Sequence, residues 1–164
     1  MIDDKLCSRL LSPLMQEVRM NMLAMAGVSD VEFQNGQICE VSSVKLNEVT
    51  VFQEALGEVS GRICLSFSKQ VAINLSNKIM SKICGENANI KEFNEDAEEA
   101  LKELLNIILG KATALLEQDN LGLIFEPPVI SQDAEQMMEG ASEVITAKAS
   151  SSAIGDFDLL YVVK

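Results

Sequence analysis

The chain of 164 residues is long enough to bury a full hydrophobic core, which favours a single domain over residues 1–164. Its net charge of −12, from 25 acidic and 13 basic residues, repels phosphate backbones, so nucleic acid is not an expected partner. The sequence has no histidine, which excludes Ser-His-Asp triads, His-ligated metals and imidazole bases.

The N-terminal stretch MIDDKLCSRL is acidic, whereas an export signal begins with basic residues. No apolar run approaches the ~20 residues of a membrane-spanning helix. We therefore expect a cytoplasmic protein without membrane insertion. The cysteines show no CxxC spacing and are interpreted as free core thiols; they are Cys7, Cys39, Cys64 and Cys84.

A first helix is predicted to begin at Ser12-Pro13, which matches an N-cap followed by proline at the first helical position. Apolar residues then recur at helical spacing from Leu14 to Met25, before Gly27. Residues 1–11 are either a leader or a backward extension of this helix.

Three strands are predicted next, because alternating apolar residues and β-formers are separated by short polar or glycine-containing stretches. Their ranges are 38–44, 48–56 and 59–68. The simplest arrangement is a meander of three consecutive antiparallel strands.

Two helices follow. Ser68 is the predicted N-cap of the first, which ends at Gly85. Asn94 is the predicted N-cap of the second, since acidic residues fill the next turn, where the helix dipole favours them.

The C-terminal part reads as strands again, at 121–130, 141–150 and 156–163, with a turn near Gly155-Asp156 and a polar connection between the first two. Pro127-Pro128 suits a strand end or a sheet edge. The element order therefore predicts an α+β fold with two helix-plus-three-strand halves, in which long helices pack on a mainly antiparallel sheet.

The helix after Asn94 carries one narrow polar stripe on an otherwise apolar surface. The stripe contains Glu99, Lys102, Glu103, Asn106, Gly110, Thr113 and Glu117. Glycine inside a helix costs about 1 kcal/mol relative to alanine, so Gly110 indicates that a neighbouring helix or a partner protein approaches closely. We interpret the stripe as a docking ridge.

Glu103 and Asn106 lie three residues apart and point the same way on the ridge. The ExxN spacing alone is weak, because about one copy is expected by chance in such a composition, and for the pair taken alone a solvated polar stripe is the better explanation. Glu117 and Asn120 form a second ExxN at the end of the helix, which we interpret as the chance copy.

The stretch ELLNIILG resembles the E-x-x-N-x-x-x-G signature of the CheC, CheX and FliY family of bacterial chemotaxis proteins. The segment LGEVSGRICLSFSKQVAINLSNKIM resembles the Gly-rich strand pair and capped helix that precede this signature, SPLMQEVRMNML resembles the first helix, and the last two strands resemble the closing hairpin. The resemblance extends from residue 12 to the C-terminus and implies a CheC-like fold.

A chain with a single copy of the signature resembles the CheX branch of the family, since CheC-type members carry a second copy on the first helix. Here Glu17 and Asn21 are four residues apart, with Arg19 between them, and we interpret them as not forming a second site. Glu99 departs from the CheC-type pattern, which has Asp or Ser at that position.

The resemblance implies a phosphatase that acts on the phosphoaspartate of a CheY-like response-regulator receiver. Asn106 would orient the attacking water and Glu103 would pair with the receiver's active-site lysine. Partner docking would involve Glu99, Lys102, Gly110 and Thr113. The protein would need no metal or cofactor of its own, because the receiver supplies Mg²⁺.

Two alternatives remain open. The first is a non-catalytic receiver-binding or flagellar-switch-like adaptor, which would have no chemical reason to hold the Glu103 and Asn106 pair. The second is a structural dimer in which the ridge forms a buried polar contact. The resemblance also implies a homodimer through the sheets, in which the C-terminal strand could add to the partner's sheet edge.

Overall fold

The computed structural model describes all 164 residues and consists of four helices and eight strands. In chain order these are α1 (Asp4–Ala26), β1 (Glu32–Phe33), β2 (Gln37–Cys39), β3 (Val49–Gly57), β4 (Gly61–Phe67), α2 (Lys69–Cys84), α3 (Glu95–Gln118), β5 (Leu123–Phe125), β6 (Val129–Ser131), α4 (Ala134–Met138), β7 (Glu143–Ser150) and β8 (Phe157–Val163). None of the helices is long and apolar enough to cross a membrane.

The strands form one antiparallel sheet in the order β1-β7-β8-β4-β3-β5, with β2 also paired to β7 and β6 also paired to β3. This confirms the predicted α+β architecture. The C-terminal strand β8 lies in the middle of the sheet, paired with β4 on one side and β7 on the other along its whole length. The expectation that it could add to a partner's edge is therefore wrong.

Helices α1, α2 and α3 cover one face of the sheet. The main core of 38 buried hydrophobic residues lies between the helices and this face. Strand alternation separates the two faces, since Ile63 and Leu65 of β4 enter this core, whereas Cys64 enters a smaller cluster on the outer face. The helices therefore lie on the face of the sheet to which Ile63 and Leu65 point.

The predicted start and end of α2 and the predicted start of α3 are confirmed. Ser68 Oγ accepts a hydrogen bond of 3.2 Å from the backbone N–H of Val71, and Asn94 Oδ1 accepts one of 3.0 Å from the N–H of Ala97. Gly85 ends α2 with a φ of 68°, in the left-handed region that favours glycine. These caps depend on residues a few positions apart, which is why the sequence predicts them well.

Helix α1 begins at Asp4 rather than at Ser12-Pro13, so the predicted N-terminus is wrong and the backward extension is correct. Asp3 Oδ1 caps the helix by accepting a hydrogen bond of 2.7 Å from the N–H of Leu6. Cys7 and Leu10 belong to the main core, so burial extends the helix past the proline. Pro13 then lies inside the helix.

The predicted meander is wrong at its first strand. Of the predicted range 38–44, only residues 38 and 39 lie in a strand, and this strand, β2, pairs with β7 rather than with β3. Residues 41–43 form a short 3₁₀ turn. Val41, Val44 and Leu46 instead pack against the outer-face cluster.

Each half of the chain contributes four strands rather than the predicted three. The added strand in the first half is the two-residue β1, and the predicted strand at 121–130 is divided into β5 and β6 by Pro127-Pro128. Both parts pair with β3 at the sheet margin, which confirms the edge position expected for the two prolines.

The polar connection at 131–140 contains the unpredicted short helix α4, which covers the outer face. Arg62 connects it to the sheet, because its guanidinium donates a hydrogen bond of 2.7 Å to the carbonyl of Met137 and one of 2.6 Å to Glu54. Burial alone would raise the pKa of Glu54, but hydrogen bonds from Arg62 and Lys164 outweigh it and lower that pKa.

The cysteines are free, as expected, but only two of them lie in the core. Cys7 and Cys64 are buried, whereas Cys39 is half-buried and Cys84 is exposed. Burial raises the pKa of the Cys64 thiol and keeps it protonated.

Candidate functional site

Helix α3 positions the candidate site by burying most of its circumference. Its apolar side chains contact the main core and pack against α1, α2 and β3. Leu101, Leu104 and Leu105 are fully buried. The remaining surface is the narrow polar ridge that the sequence predicts.

Glu103 and Asn106 lie exposed on this ridge. Neither side chain makes a hydrogen bond or a salt bridge within the chain. Their carboxylate and carboxamide are therefore available to another molecule, one as an acceptor and the other as both donor and acceptor.

Glu99 and Lys102 pair with each other one turn before this point. Lys102 Nζ donates a hydrogen bond of 2.9 Å to Glu99 Oε1, and this bond raises the pKa of the lysine. Glu99 is exposed and Lys102 is half-buried, and a surface ion pair of this kind contributes little to stability. Lys102 is the one basic residue of the ridge, and its charge is offset by Glu99.

Gly110 leaves bare backbone on the ridge one turn after Asn106. A Cβ atom at this position would meet no other atom of the chain within 4 Å. A neighbouring helix is therefore not the reason for this glycine. Thr113 lies half-buried beyond it and donates its hydroxyl to the carbonyl of Leu109 at 2.9 Å, so that hydroxyl is already bonded.

The second ExxN does not reproduce this geometry. Helix α3 ends at Gln118, so Asn120 lies outside the helix, with a φ of 57°. Its side chain cannot share a helical face with Glu117 in the way that Asn106 does with Glu103. This agrees with its interpretation as a chance copy.

Glu17 and Asn21 of α1 are buried, with 6% and 1% of their surfaces exposed. Asn21 Nδ2 donates a hydrogen bond of 3.0 Å to Glu17 Oε2, and Lys111 Nζ donates one of 3.2 Å to Asn21 Oδ1. These hydrogen bonds connect α1 to α3. Glu17 and Asn21 are too deeply buried to contact another protein, in agreement with the prediction that they form no second site.

A groove that the sequence did not predict runs beside Asn106, between α3 and β5. It is an open depression of about 340 Å³ and includes Gly110, Thr113 and Phe125 on its walls. Gln53 of β3 also lines it, although only 2% of this residue is exposed. One feature of the sequence could have indicated that Gln53 has a special role. It is a polar residue at an inward position of β3, whereas the neighbouring inward residues Val51 and Ala55 are apolar.

No group of three or more His, Cys, Asp or Glu side chains is placed to hold a metal ion. The exposed Glu103 and Asn106 of the ridge can offer another protein hydrogen bonds and negative charge. The ridge presents these on a helix that the core holds rigidly.

Comparisons of the structure show the fold. A CheX from Desulfovibrio desulfuricans superposes with a TM-score of 0.76 at 18% identity, covering 94% of this chain and 99% of that one. CheX in a CheX-CheY-BeF3-Mg²⁺ complex from Borrelia burgdorferi gives a TM-score of 0.72 at 18% identity, covering 94% and 97%. FliY from Thermotoga maritima gives 0.70 at 13% identity, covering 99% and 92%.

No curated protein sequence matches the chain. The sequence does match the family model described as chemotaxis phosphatase CheX, over residues 49–150. The matched range begins with β3, ends with β7 and includes the whole of α3 with its exposed Glu103 and Asn106. The chain belongs to the CheX family of chemotaxis phosphatases.

Proposed function

We propose that the protein hydrolyses the phosphoaspartate of a CheY-like response-regulator receiver. The observation that carries this proposal is the exposed pair of Glu103 and Asn106, whose side chains have no partner within the chain. Family membership and the fold shared with a CheX solved in complex with CheY support it.

The reaction makes modest demands on this chain. The oxygen of a water molecule attacks phosphorus, the bond between phosphorus and the aspartate oxygen breaks, and inorganic phosphate leaves together with the water's proton. An acyl phosphate is already activated, and the receiver contributes Mg²⁺ and a lysine, so this chain needs to supply only positioning. This explains how a chain without histidine can act as a phosphatase.

Asn106 would enter the receiver's active site and orient the attacking water, because its carboxamide offers an acceptor oxygen and two N–H donors at once. Glu103, one turn earlier on the same face, would pair with the receiver's lysine through a charge-assisted hydrogen bond. The bare backbone at Gly110 lets the receiver approach the helix, and the net charge of −12 attracts a site that contains lysine and Mg²⁺.

The test is the decay of a phosphorylated CheY-like receiver with Mg²⁺, measured alone, with this protein and with its Asn106→Ala variant. Loss of the positioned amide should reduce the accelerated rate by about 100-fold. The free energy of unfolding should change by no more than about 0.5 kcal/mol, because the side chain is exposed. Asn120→Gly is the matched control, since Asn120 belongs to the second ExxN and already has a positive φ.

The alternative is a non-catalytic adaptor that binds a receiver or a flagellar-switch partner. The fold shared with FliY is compatible with this alternative. Binding of the receiver without any acceleration of its dephosphorylation would favour the adaptor. A strongly destabilised Asn106→Ala protein would contradict the exposed position of the ridge.

We also propose a homodimer, as the family resemblance implies. Since β8 is interior, strand pairing between two copies would have to use the strands at the margins of the sheet. Light scattering after size-exclusion chromatography distinguishes this dimer from a monomer. A structural dimer that buried the ridge would instead be disrupted by Glu103→Ala.

A further inference from the structure

Helix α1 forms the surface on one flank of the ridge. The guanidinium of Arg9 donates a hydrogen bond to the backbone carbonyl of Asp119, and Lys111 Nζ donates one of 3.2 Å to Asn21 Oδ1. Residue numbers rise along α1 as they fall along α3, so the two helices run antiparallel. The residues of α1 after Asn21 therefore lie alongside the residues of α3 before Lys111, in the direction of Glu103.

Glu103 is on the side of the ridge that faces α1. Glu103, Ile107 and Lys111 follow one another at intervals of four residues, so their side chains lie along the same side of α3. Lys111 contacts α1 from that side through its bond to Asn21. The groove between α3 and β5 lies on the opposite flank of the ridge. A partner that pairs with Glu103 is therefore brought next to α1.

Helix α1 leaves apolar side chains exposed at this place. Met20 and Leu23 are 54% and 51% exposed, whereas the other large apolar residues of α1 are buried or half-buried. Met20 follows the buried Glu17 by three residues and directly precedes Asn21, so it adjoins the side of α1 that packs against α3. Leu23 lies three residues further on the same face. We call Met20 and Leu23, with the exposed Ala24, the α1 face.

The charge around the α1 face differs from that at the start of α3. Five of the nine residues from Glu95 to Glu103 are acidic, but residues 18–27 of α1 contain no acidic residue. Lys111 takes part in no salt bridge, so its ammonium group is available to an acidic group of a partner. The α1 face can therefore receive an apolar segment without leaving a carboxylate of this chain buried and unpaired.

The size of protein interfaces requires contacts beyond the ridge. Specific complexes bury roughly 800 Å² on each partner, which corresponds to about 20–30 residues a side. A narrow ridge on one helix is too small to supply this area. A receiver that docks on the ridge must extend past it, and on the side of Glu103 the surface that it meets is α1. Exposed apolar side chains beside a docking site are typical of such an interface.

We propose that the α1 face is a second part of the receiver-docking surface, where Met20 and Leu23 pack against an apolar side chain of the receiver while Glu103 and Asn106 engage its active site. This proposal rests on the proposed function, because the receiver is taken as the occupant. It assigns α1 to affinity and to the choice of partner, and it leaves the chemical step with α3.

The experiment measures KM and kcat for dephosphorylation of a CheY-like receiver by variants of the α1 face. Leu23→Ser and Met20→Ser each remove an exposed apolar side chain, and each should raise KM by about threefold to tenfold with kcat unchanged. Leu23→Met keeps an apolar side chain of similar size and should keep KM close to the wild-type value.

Leu56→Ser is the matched control. Leu56 is 47% exposed, which is close to the value for Leu23. It lies on β3 one residue after the inward-facing Ala55, so its side chain points to the sheet face that the three long helices do not cover. This variant should leave KM and kcat unchanged, and an equal rise of KM in it would overturn the proposal.

The outcomes separate this proposal from the proposed function. If Asn106→Ala abolishes the activity while Leu23→Ser and Met20→Ser keep the wild-type KM, the receiver does not contact α1 and this inference is overturned, although the phosphatase proposal stands. If one of the two serine variants fails to fold, the other decides alone.

Two further measurements cover the other cases. Light scattering shows whether the α1 face is instead a contact between two copies of this chain, since a dimer that becomes a monomer in Leu23→Ser would overturn the proposal. If the wild-type protein accelerates no dephosphorylation, the same variants are compared by calorimetric titration of the receiver in its Mg²⁺ and beryllofluoride form. Weaker binding of both serine variants, with Leu56→Ser unchanged, would support the α1 face without the phosphatase. Binding equal to that of the wild type, or no binding at all, would overturn it.

Discussion

Asp30 Oδ1 accepts a hydrogen bond of 2.6 Å from the hydroxyl of Ser151, which ties the loop after α1 to the turn between β7 and β8. The other carboxylate oxygen accepts bonds of 2.7 Å and 2.5 Å from the N–H and hydroxyl of Ser152. The hydrogen bonds from Ser151 and Ser152 lower the pKa of Asp30 to about 2. Two segments 121 residues apart in the sequence are thus connected by a single carboxylate.

This carboxylate predicts a pH dependence of stability. Its pKa is lower in the folded protein than in the unfolded chain, where it is near 3.9, so its contribution is complete above that value and disappears as the pH falls through about 2. Asp30→Asn should therefore unfold at lower urea concentration than the wild type at pH 7. The difference should shrink as the pH is lowered from 4 to about 2.

Urea titrations across this pH range provide the measurement. Asp156→Asn is the control, because Asp156 lies exposed in the same turn and its side chain accepts no hydrogen bond. A difference between Asp30→Asn and the wild type that stays constant from pH 7 to pH 2 would contradict the prediction.

The buried polar contact between α1 and α3 predicts a second effect. Asn21→Leu would leave Glu17 buried without its hydrogen bond and remove the acceptor of Lys111, and should lower the free energy of unfolding by about 1–3 kcal/mol. Replacing both residues, as Glu17→Met with Asn21→Leu, should cost less than the sum of the single changes, because no buried carboxylate is left unpaired. Additive effects in chemical denaturation would argue against a coupled pair.

Gly110→Ala should move stability and activity in opposite directions. Alanine stabilises a helix interior relative to glycine by about 0.5–1 kcal/mol, and no atom of the chain obstructs a Cβ there, so the melting temperature should rise. The added methyl group would occupy the space into which the receiver docks, so KM for the receiver should rise too. An unchanged KM in the more stable variant would show that the receiver does not approach this backbone.

Glu103→Gln should weaken docking through the loss of charge alone. The pair with the receiver's lysine is charge-assisted, so we expect an increase in Kd of about tenfold and a smaller dependence of Kd on salt concentration. Titrations with the beryllofluoride form of the receiver at low and high salt measure both. Glu86→Gln removes the same charge from an exposed loop outside the ridge and should alter neither quantity strongly.

Local signals predicted the exposed ridge of α3 better than they predicted the sheet. The cap at Asn94 and the polar stripe of α3 depend on residues a few positions apart, so Glu103 and Asn106 could be assigned to an exposed ridge from the sequence. Their exposure and lack of internal partners agree with that prediction, and their roles in catalysis stay predictions.

Contacts between distant segments could not be predicted in the same way. Strand β2 pairs with β7, more than 100 residues away, and nothing in its three residues indicates that choice over the neighbouring β3. The burial of Gln53 could not be predicted for a related reason. Its environment is created by β5 and the carbonyl of Glu126, which only the folded chain brings next to it. The prediction of the start of α1 was wrong for a different reason. Burial of Cys7 and Leu10 in the core outweighed the local capping signal at Ser12-Pro13.

The division of the outermost strand by Pro127-Pro128 has a consequence for association. Proline has no backbone N–H to offer another strand, so the margin formed by β5 and β6 presents only two three-residue segments. A sheet can polymerise only when both of its margins accept further strands. The opposite margin is equally short, because β1 and β2 have two and three residues, so neither edge of this sheet offers another strand a long row of free N–H groups.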